Sequence, residues 1–316
     1  MTKNLNPNKQ LKLGLFLSTR ERDFNRVQSA YWIRALQLRK YYEKLGLDVR
    51  INEPWHFYDV AIYFRENRPK DLLRMRLLKL ISKQVYWDTV VDYFQPHETS
   101  STDQVRVTHE IAKKLDGIIC STQIIADSAK RFSPNVIVMR DPIDLAYFTQ
   151  RKASIQWTNP EWIWSGVSSK AHCLNPYKDL ISGKTHLVMD TQVPLEFEYS
   201  YSNWRHETFA EEVMKGDIAL LPRTLDSPYN RGHSCFKALP FAVSGIPILA
   251  SRIPSYVEMS QYYDGICFLE DYPNVESAIA DLKTRNTDPT RVREHYSCET
   301  ISRDFIQDLE SRRGRA

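Results

Sequence analysis

Short apolar runs alternate along the chain with longer stretches in which apolar residues recur at helical spacing. Residues 11–17 (LKLGLFL) predict a first buried strand, followed by a charged loop over 18–25. From 27 to 45, Ala30, Ile33, Leu38, Tyr41 and Leu45 fall near a helical period, and Gly46 suits a helix C-cap. Further strands are predicted at 48–51, 59–64 (DVAIYF), 84–92, 117–121 and 136–139. Helices are predicted at 71–82, 105–115 and 122–132.

Residues 149–160 are polar and without periodicity, and they read as a linker. Beyond them, strands are predicted at 161–166 (EWIWSG) and 185–189. Helices follow at 204–215, with Phe209, Val213 and Met214 on the apolar side, and at 275–282. The tail, 288–316, reads as one amphipathic helix with a basic end, Arg312-Arg313-Gly314-Arg315. Strands alternating with helices predict an α/β chain whose parallel sheets are covered on both faces. A length of 316 residues accommodates two domains of ordinary size.

The richest stretch is 216–251, GDIALLPRTLDSPYNRGHSCFKALPFAVSGIPILAS. It predicts a buried strand at 218–222, a polar loop at 223–234 and a helix at 235–244. A Gly245-Ile246-Pro247 turn and a second buried strand at 248–251 complete a βαβ unit. The polar loop then lies at the strand's carboxyl end, facing a helix N-terminus, where open parallel sheets hold ligands and backbone N–H groups attract phosphate. Lys237 and Arg231 add positive charge there, and Arg231 or Arg223 can fork onto a phosphate or remain a surface arginine.

Composition narrows the partner class. The formal net charge is +4, which suits anionic ligands such as nucleoside diphosphates but shows no clustered basic face of the kind that marks nucleic-acid binding. Hydrophobic residues make up 42% of the chain, enough for sizeable cores, yet no run of about 18 apolar residues predicts a membrane span. The start, MTKNLNPNKQ, has no apolar signal-peptide core, and five scattered cysteines without a CxxC fit reduced thiols in a cytoplasmic protein. No DxD motif is present, so metal-held diphosphate is not expected, and no G-x-G-x-x-G follows a predicted strand.

Asp217, Pro222, Lys237, Gly245, Pro247 and Ser251 match the donor-binding segment of GT-B glycosyltransferases, close to glycosyltransferase family 4. Arg231-Gly232, Phe236-Lys237 and Gly245-Ile246-Pro247 resemble its compact bacterial members. Residues 116–122 and 135–148 are similar to two further family elements in the N-terminal half.

The resemblance implies a GT-B fold, two Rossmann-like domains with a deep interdomain cleft. Residues 1–150 would form the acceptor domain and 151–290 the nucleotide-sugar domain, with a helix over 291–316 crossing back to the first. It implies sugar transfer from a nucleotide-sugar to an acceptor hydroxyl, retaining configuration and without metal or other cofactor. The acceptor would be a glycan or glycolipid.

Candidate catalytic residues on this reading are Lys237, Arg231 and Arg26, the last similar to a family arginine after the first strand. Candidate donor-binding residues are Gly166, Ser168, Ser169 and Lys170, in the family's second phosphate loop, with Arg223 and Glu258. Gly166 and the two serines would admit backbone N–H groups to a phosphate or form a plain turn. Glu258 would contact the donor sugar or cap a helix. Two positions depart from the pattern: many members carry carboxylates where this chain has Gly232 and Pro240. That departure keeps open a nucleotide-sugar-binding protein without transfer, and a transferase acting on modified DNA is a further alternative.

Other residues keep two readings. Asp88 and Asp92 hold an acceptor hydroxyl or act as a base, or else they cap a helix or accept loop amides. His97 and His109 line a cleft or are structural. The basic stretch 70–83, with Arg74, Arg76, Lys79 and Lys83 among leucines, is a solvated face or a peripheral contact with an anionic inner membrane face.

Overall fold

The computed structural model describes residues 10–18, 29–97 and 100–313. The chain divides into two compact units, one made of residues 1–142 with 298–316 and the other of 143–297.

The first unit is built on six parallel strands: β1 (Lys12–Leu17), β2 (Asp48–Ile51), β3 (Tyr58–Phe64), β4 (Ser82–Thr89), β5 (Gly117–Cys120) and β6 (Val136–Val138). Their order is β2-β1-β3-β4-β5-β6. Every residue of β3 is buried, as a central parallel strand covered on both faces requires.

Alternate side chains enter two separate cores. Leu13, Leu15, Val60 and Ile62 pack with Leu38, Tyr42, Ile301 and Phe305. Phe16, Ala61 and Tyr63 pack with Met75, Val107, Ile111 and Ile125 on the other face. The helix Gln37–Lys44 and the last helix, Cys298–Arg313, thus cover one face. The helices Pro69–Leu78, Thr102–Lys114 and Gln123–Ala129 cover the other.

The helical stretch expected at 27–45 contains a π turn, Trp32–Leu36. It turns Arg34 inward, 1% exposed, onto Asp88 (2.6 Å) and Asp141 (3.0 Å). Arg34 also donates to the Met139 carbonyl. Asp88 is therefore engaged within the core. Asp92 accepts from the Phe94 amide, Gln95 and Ser128. Asp92 thus accepts a loop amide, as one of its readings has it, whereas Asp88 is paired with a buried arginine that neither of its readings included.

In the second unit six parallel strands follow: β7 (Trp162–Gly166), β8 (Thr185–Met189), β9 (Ser200–Asn203), β10 (Ile218–Leu221), β11 (Ile248–Ala250) and β12 (Ile266–Phe268). Their order is β12-β11-β10-β7-β8-β9, the doubly wound arrangement in which chain order reverses between β7 and β10.

Several expected elements differ. Residues 149–160 are tied into the second unit: the Lys152 amide donates to the Ser244 carbonyl and its ammonium pairs with Asp217 at 3.0 Å. The helix expected at 204–215 is confined to Phe209–Val213, because the Trp204 amide still bonds the Met189 carbonyl beside β9. The helix expected at 235–244 is a 3-10 turn, Cys235–Lys237, and then Leu239–Val243. Pro240 lacks the N–H that a continuous helix needs. The tail is two helices, Thr290–Tyr296 and Cys298–Arg313, interrupted at Ser297, which is extended (ψ 147) and bridges to Ile143.

Candidate functional site

The reversal of strand order in the second unit brings two loops together at the carboxyl ends of β7 and β10. β7 ends in Gly166, and a 3-10 segment, Ser168–Tyr177, starts two residues later. β10 leads through Pro222 into a loop held by local caps. The Ser227 side chain accepts from the Asn230 amide, starting the short helix Pro228–Arg231. The Ser234 side chain accepts from the Phe236 amide, starting the turn that ends at Lys237.

Lys237 reaches from that turn across β7. Its Nζ lies 4.0 Å from the centre of the Trp164 ring, a cation–π contact on an indole that is 1% exposed. A Cβ on residue 166 would stand 2.5 Å from this Nζ and 2.7 Å from the Trp164 ring, so glycine is required for the ammonium to lie there. Trp164 Nε1 is buried and has no hydrogen-bond partner among the described residues.

Two more cations share this end of the sheet. The Arg223 amide donates to Ser251 Oγ (2.9 Å), joining the β10 and β11 ends, and its guanidinium donates to Asn230 Oδ1 (3.2 Å). Lys170 donates to Tyr229 Oη (2.7 Å) and lies 4.4 Å from the centre of that ring. Their mutual field is visible in the titrating groups. Desolvation, then the Arg223 and Lys170 charges, lowers Lys237 from the ordinary lysine value to about 7.

Burial and the Arg223 and Lys170 charges push His233 down to about 2, so its imidazole is neutral. Nδ1 lies 2.6 Å from the Tyr229 carbonyl and must donate to it, which leaves Nε2 as an acceptor. Burial pushes the Cys173 thiol up against the pull of Lys237 and Arg223, so it stays protonated at neutral pH. Among the described residues no ion pair joins Lys237 or Arg223 to a carboxylate. Fixed cations beside buried aromatic surface attract a polyanionic ligand, and a diphosphate has the matching charge.

Lys237, Arg223, Lys170 and Gly166 are therefore brought together, and the other candidates behave differently. Ser168 is buried, and its amide donates to Asp190 Oδ1 (2.7 Å) at the end of β8, so this N–H is already used. Burial opposes ionisation of Asp190, but the Ser168 amide and hydroxyl hold its carboxyl below the usual range. Ser169 is exposed at the second position of the 3-10 segment. Arg231 is exposed and folds onto the Leu225 carbonyl (3.2 Å). Glu258 lies in the body of the helix Pro254–Ser260, whose first turn holds no acid, so it does not cap that helix.

Arg26 lies outside the described residues. His109 stacks on Phe132 and bonds the Phe94 carbonyl, a structural role. Trp164, Tyr229 and His233 were not singled out by sequence. Only the aromatic residues within the strand and loop signalled them, and their value depends on the strand order. Among the described residues, no group of three or more His, Cys, Asp or Glu is placed to hold a metal ion.

No protein-family model and no curated protein matches the sequence. Solved structures do match the fold. HepE from Anabaena, solved with UDP-glucose, is 13% identical with a TM-score of 0.64, covering 96% of this chain and all of its own. Sucrose-phosphate synthase from Thermosynechococcus elongatus is 11% identical with a TM-score of 0.65, covering 97% of this chain and 100% of its own. An alpha-glucosyltransferase solved with UDP-glucose and DNA containing an abasic site is 12% identical with a TM-score of 0.66, covering 96% of this chain and 100% of its own. With its two parallel six-stranded sheets, the chain has the GT-B fold of these structures.

Proposed function

We propose that this chain is a glycosyltransferase of the family 4 kind, moving a sugar from a nucleotide-sugar to an acceptor hydroxyl with retention and without metal. The acceptor is a glycan or glycolipid. The observation that carries the reading is the meeting of Lys237, Arg223 and Lys170 at the reversal of strand order in the second sheet. This is where doubly wound sheets bind nucleotides.

In the reaction the bond between the anomeric carbon and the diphosphate oxygen breaks, and the electron pair stays on the diphosphate. Lys237 and Arg223 stabilise the charge that develops there, a task of fixed, preorganised cations. The acceptor oxygen forms the new bond to the anomeric carbon on the face the diphosphate leaves. The departing phosphate oxygen takes the acceptor's proton, so no protein base is required.

A metal-free screen of UDP-, GDP-, ADP-, dTDP- and CMP-sugars by thermal shift and diphosphate release tests the proposal. UDP-glucose comes first, since HepE was solved with it. One donor should stabilise the protein and release diphosphate slowly, and Lys237→Ala should lose both. No stabilisation by any donor refutes the assignment of the site.

Two alternatives have specific support. Gly232 and Pro240, at positions where many family members carry carboxylates, favour binding without transfer. Donor binding with no product on any acceptor would select that reading. The likeness to a glucosyltransferase solved with DNA favours a modified-DNA acceptor, and transfer to hydroxymethylated duplex would select it.

A further inference from the structure

The helix Pro69–Leu78 of the first unit has two apolar stripes. Asp71, Met75 and Leu78 face the core. On another side Leu73 and Leu77 are 58% and 54% exposed, and Leu80, in the turn that continues the helix, is 75% exposed. Spacings of four and three put these leucines in line.

The neighbouring loop adds Trp55, 91% exposed, and Phe57, 54% exposed. The Tyr58 amide donates to the Ile81 carbonyl at 2.8 Å, and Tyr58 pairs with Ser82 in the sheet. The Trp55–Phe57 loop and the Leu80 turn therefore sit side by side. Of the nine large hydrophobics that are exposed among the described residues, five are in this one region. Scattered exposed leucines need no explanation, but a contiguous patch does.

The helix side of the patch is rimmed by positive charge, while in the neighbouring loop the exposed Glu53 pairs with Arg50 at 3.1 Å. Lys70, Arg74, Arg76, Lys79 and Lys83 are all exposed. The sole acid between residues 69 and 83 is Asp71, which is 0% exposed and accepts from Tyr63. Arg74, Lys79 and Lys83 have carboxylate partners at 3.4, 3.1 and 2.7 Å, which moderates the field without reversing it.

We propose that this face seats the protein on an anionic bilayer. The leucines, Trp55 and Phe57 would enter the headgroup boundary while the lysines and arginines meet lipid phosphates. No helix among the described residues is long and apolar enough to cross a membrane, so the contact lies on the surface.

Charge and apolarity together select this partner. A nucleic acid would satisfy the cations but leave the leucines and Trp55 without an apolar partner. A second copy docked about a two-fold axis would cover the leucines but set like charges against each other. The inference does not depend on the donor site.

The test is co-sedimentation of the full chain with phosphatidylcholine vesicles, with and without about one-third phosphatidylglycerol, at about 0.15 M salt. Binding should require the anionic lipid and fall by at least about tenfold on neutral vesicles. The triple variant Leu73→Ser, Leu77→Ser, Leu80→Ser should lower partitioning on the order of 100-fold. Its melting temperature should be unchanged, because all three side chains are exposed.

Failure to bind anionic vesicles, or undiminished binding by the triple variant, overturns the proposal. Salt-sensitive duplex DNA binding that the variant retains, without vesicle binding, would assign the face to nucleic acid instead. Self-association that the variant abolishes, again without vesicle binding, would assign it to a second copy.

Discussion

If Lys237 meets the donor diphosphate, donor affinity must depend on pH in a range where ordinary lysines do not titrate. Its free-state value near 7 reflects desolvation and the Arg223 and Lys170 charges. A bound diphosphate compensates those charges and favours the ammonium, so the bound-state value lies higher. At pH 8 the free amine is about nine-tenths neutral, and each binding event takes up close to one proton.

Affinity should be flat below about pH 6.5 and fall about tenfold per pH unit between about 7 and 9. A nucleotide-sugar keeps its diphosphate charge over this range, so the slope belongs to the protein. The unliganded protein should behave oppositely. Between about 7 and 10.4 the unfolded chain holds a proton on Lys237 that the folded chain lacks, so stability rises with pH, by up to about 1.4 kcal/mol per unit. Titration calorimetry in two buffers of different ionisation enthalpy measures the proton uptake, and Lys237→Met is the control. A pH-independent dissociation constant from 7 to 9, or a slope that survives in Lys237→Met, refutes the reasoning.

Other expectations use the same geometry. Gly166→Ala would put a methyl group where the Lys237 ammonium lies, so donor affinity should fall about tenfold or more in calorimetry with little change in far-UV circular dichroism. A nucleoside diphosphate carries one more negative charge than its sugar ester and should bind more tightly, about tenfold at low salt. Equal competition constants would contradict that.

In the same unit, burial opposes ionisation of Glu212, but hydrogen bonds from Lys215, Ser202 and His186 hold its carboxyl down to about 2. Its stabilisation is fully present above about pH 4.5 and is lost as pH falls toward about 2. Glu212→Gln should therefore flatten the acid limb of the stability curve, removing about 1–3 kcal/mol at neutral pH, as followed by denaturant melts.

The readable part of the fold was the part that parallel sheets write into sequence. β8 matches the expected run 185–189 residue for residue because every residue in it is buried, and the edge strand β2 matches 48–51 with Val49 as its one buried residue. β9, Ser200–Asn203, is an edge strand with exposed ends and no apolar run, and β12 has only three residues, so neither gave a signal. The π turn at Trp32–Leu36 carries Arg34, which is bonded to Asp88 and Asp141, partners 54 and 107 positions away. Local periodicity cannot register such partners.

The site divides in the same manner. Lys237 and Lys170 were found by likeness to a family, but their meeting depends on β7 lying beside β10, a fact of strand order. Trp164 read only as a strand residue, and its role as the floor under Lys237 appears once Gly166 is seen to leave room. Arg231 stands apart from the cluster of Lys237, Arg223 and Lys170. It occupies the right loop, and a short helix turns it outward onto the Leu225 carbonyl.

The two departures from the family pattern bear on the chemistry more than their residue types suggest. Pro240 lies in the first turn of Leu239–Val243 and is wholly buried with its neighbours, and Gly232 is the buried C-cap of Pro228–Arg231. Both positions serve packing and chain direction. Carboxylates there would place negative charge on the loop that carries Arg223 and on the helix that follows Lys237. Without them, the side-chain charges felt by Lys237 among the described residues are those of Arg223 and Lys170, since the Cys173 thiol is protonated at neutral pH. The unliganded site therefore holds like charges at close quarters. Part of that repulsion is relieved by loss of a proton from Lys237, and the rest makes the site responsive to an anion. A cluster compensated by its own carboxylates would bind a diphosphate by exchange of partners. On the proposed reading this one would bind by relief of repulsion, and tight binding, proton uptake and a preference for the more highly charged product would then share a single origin.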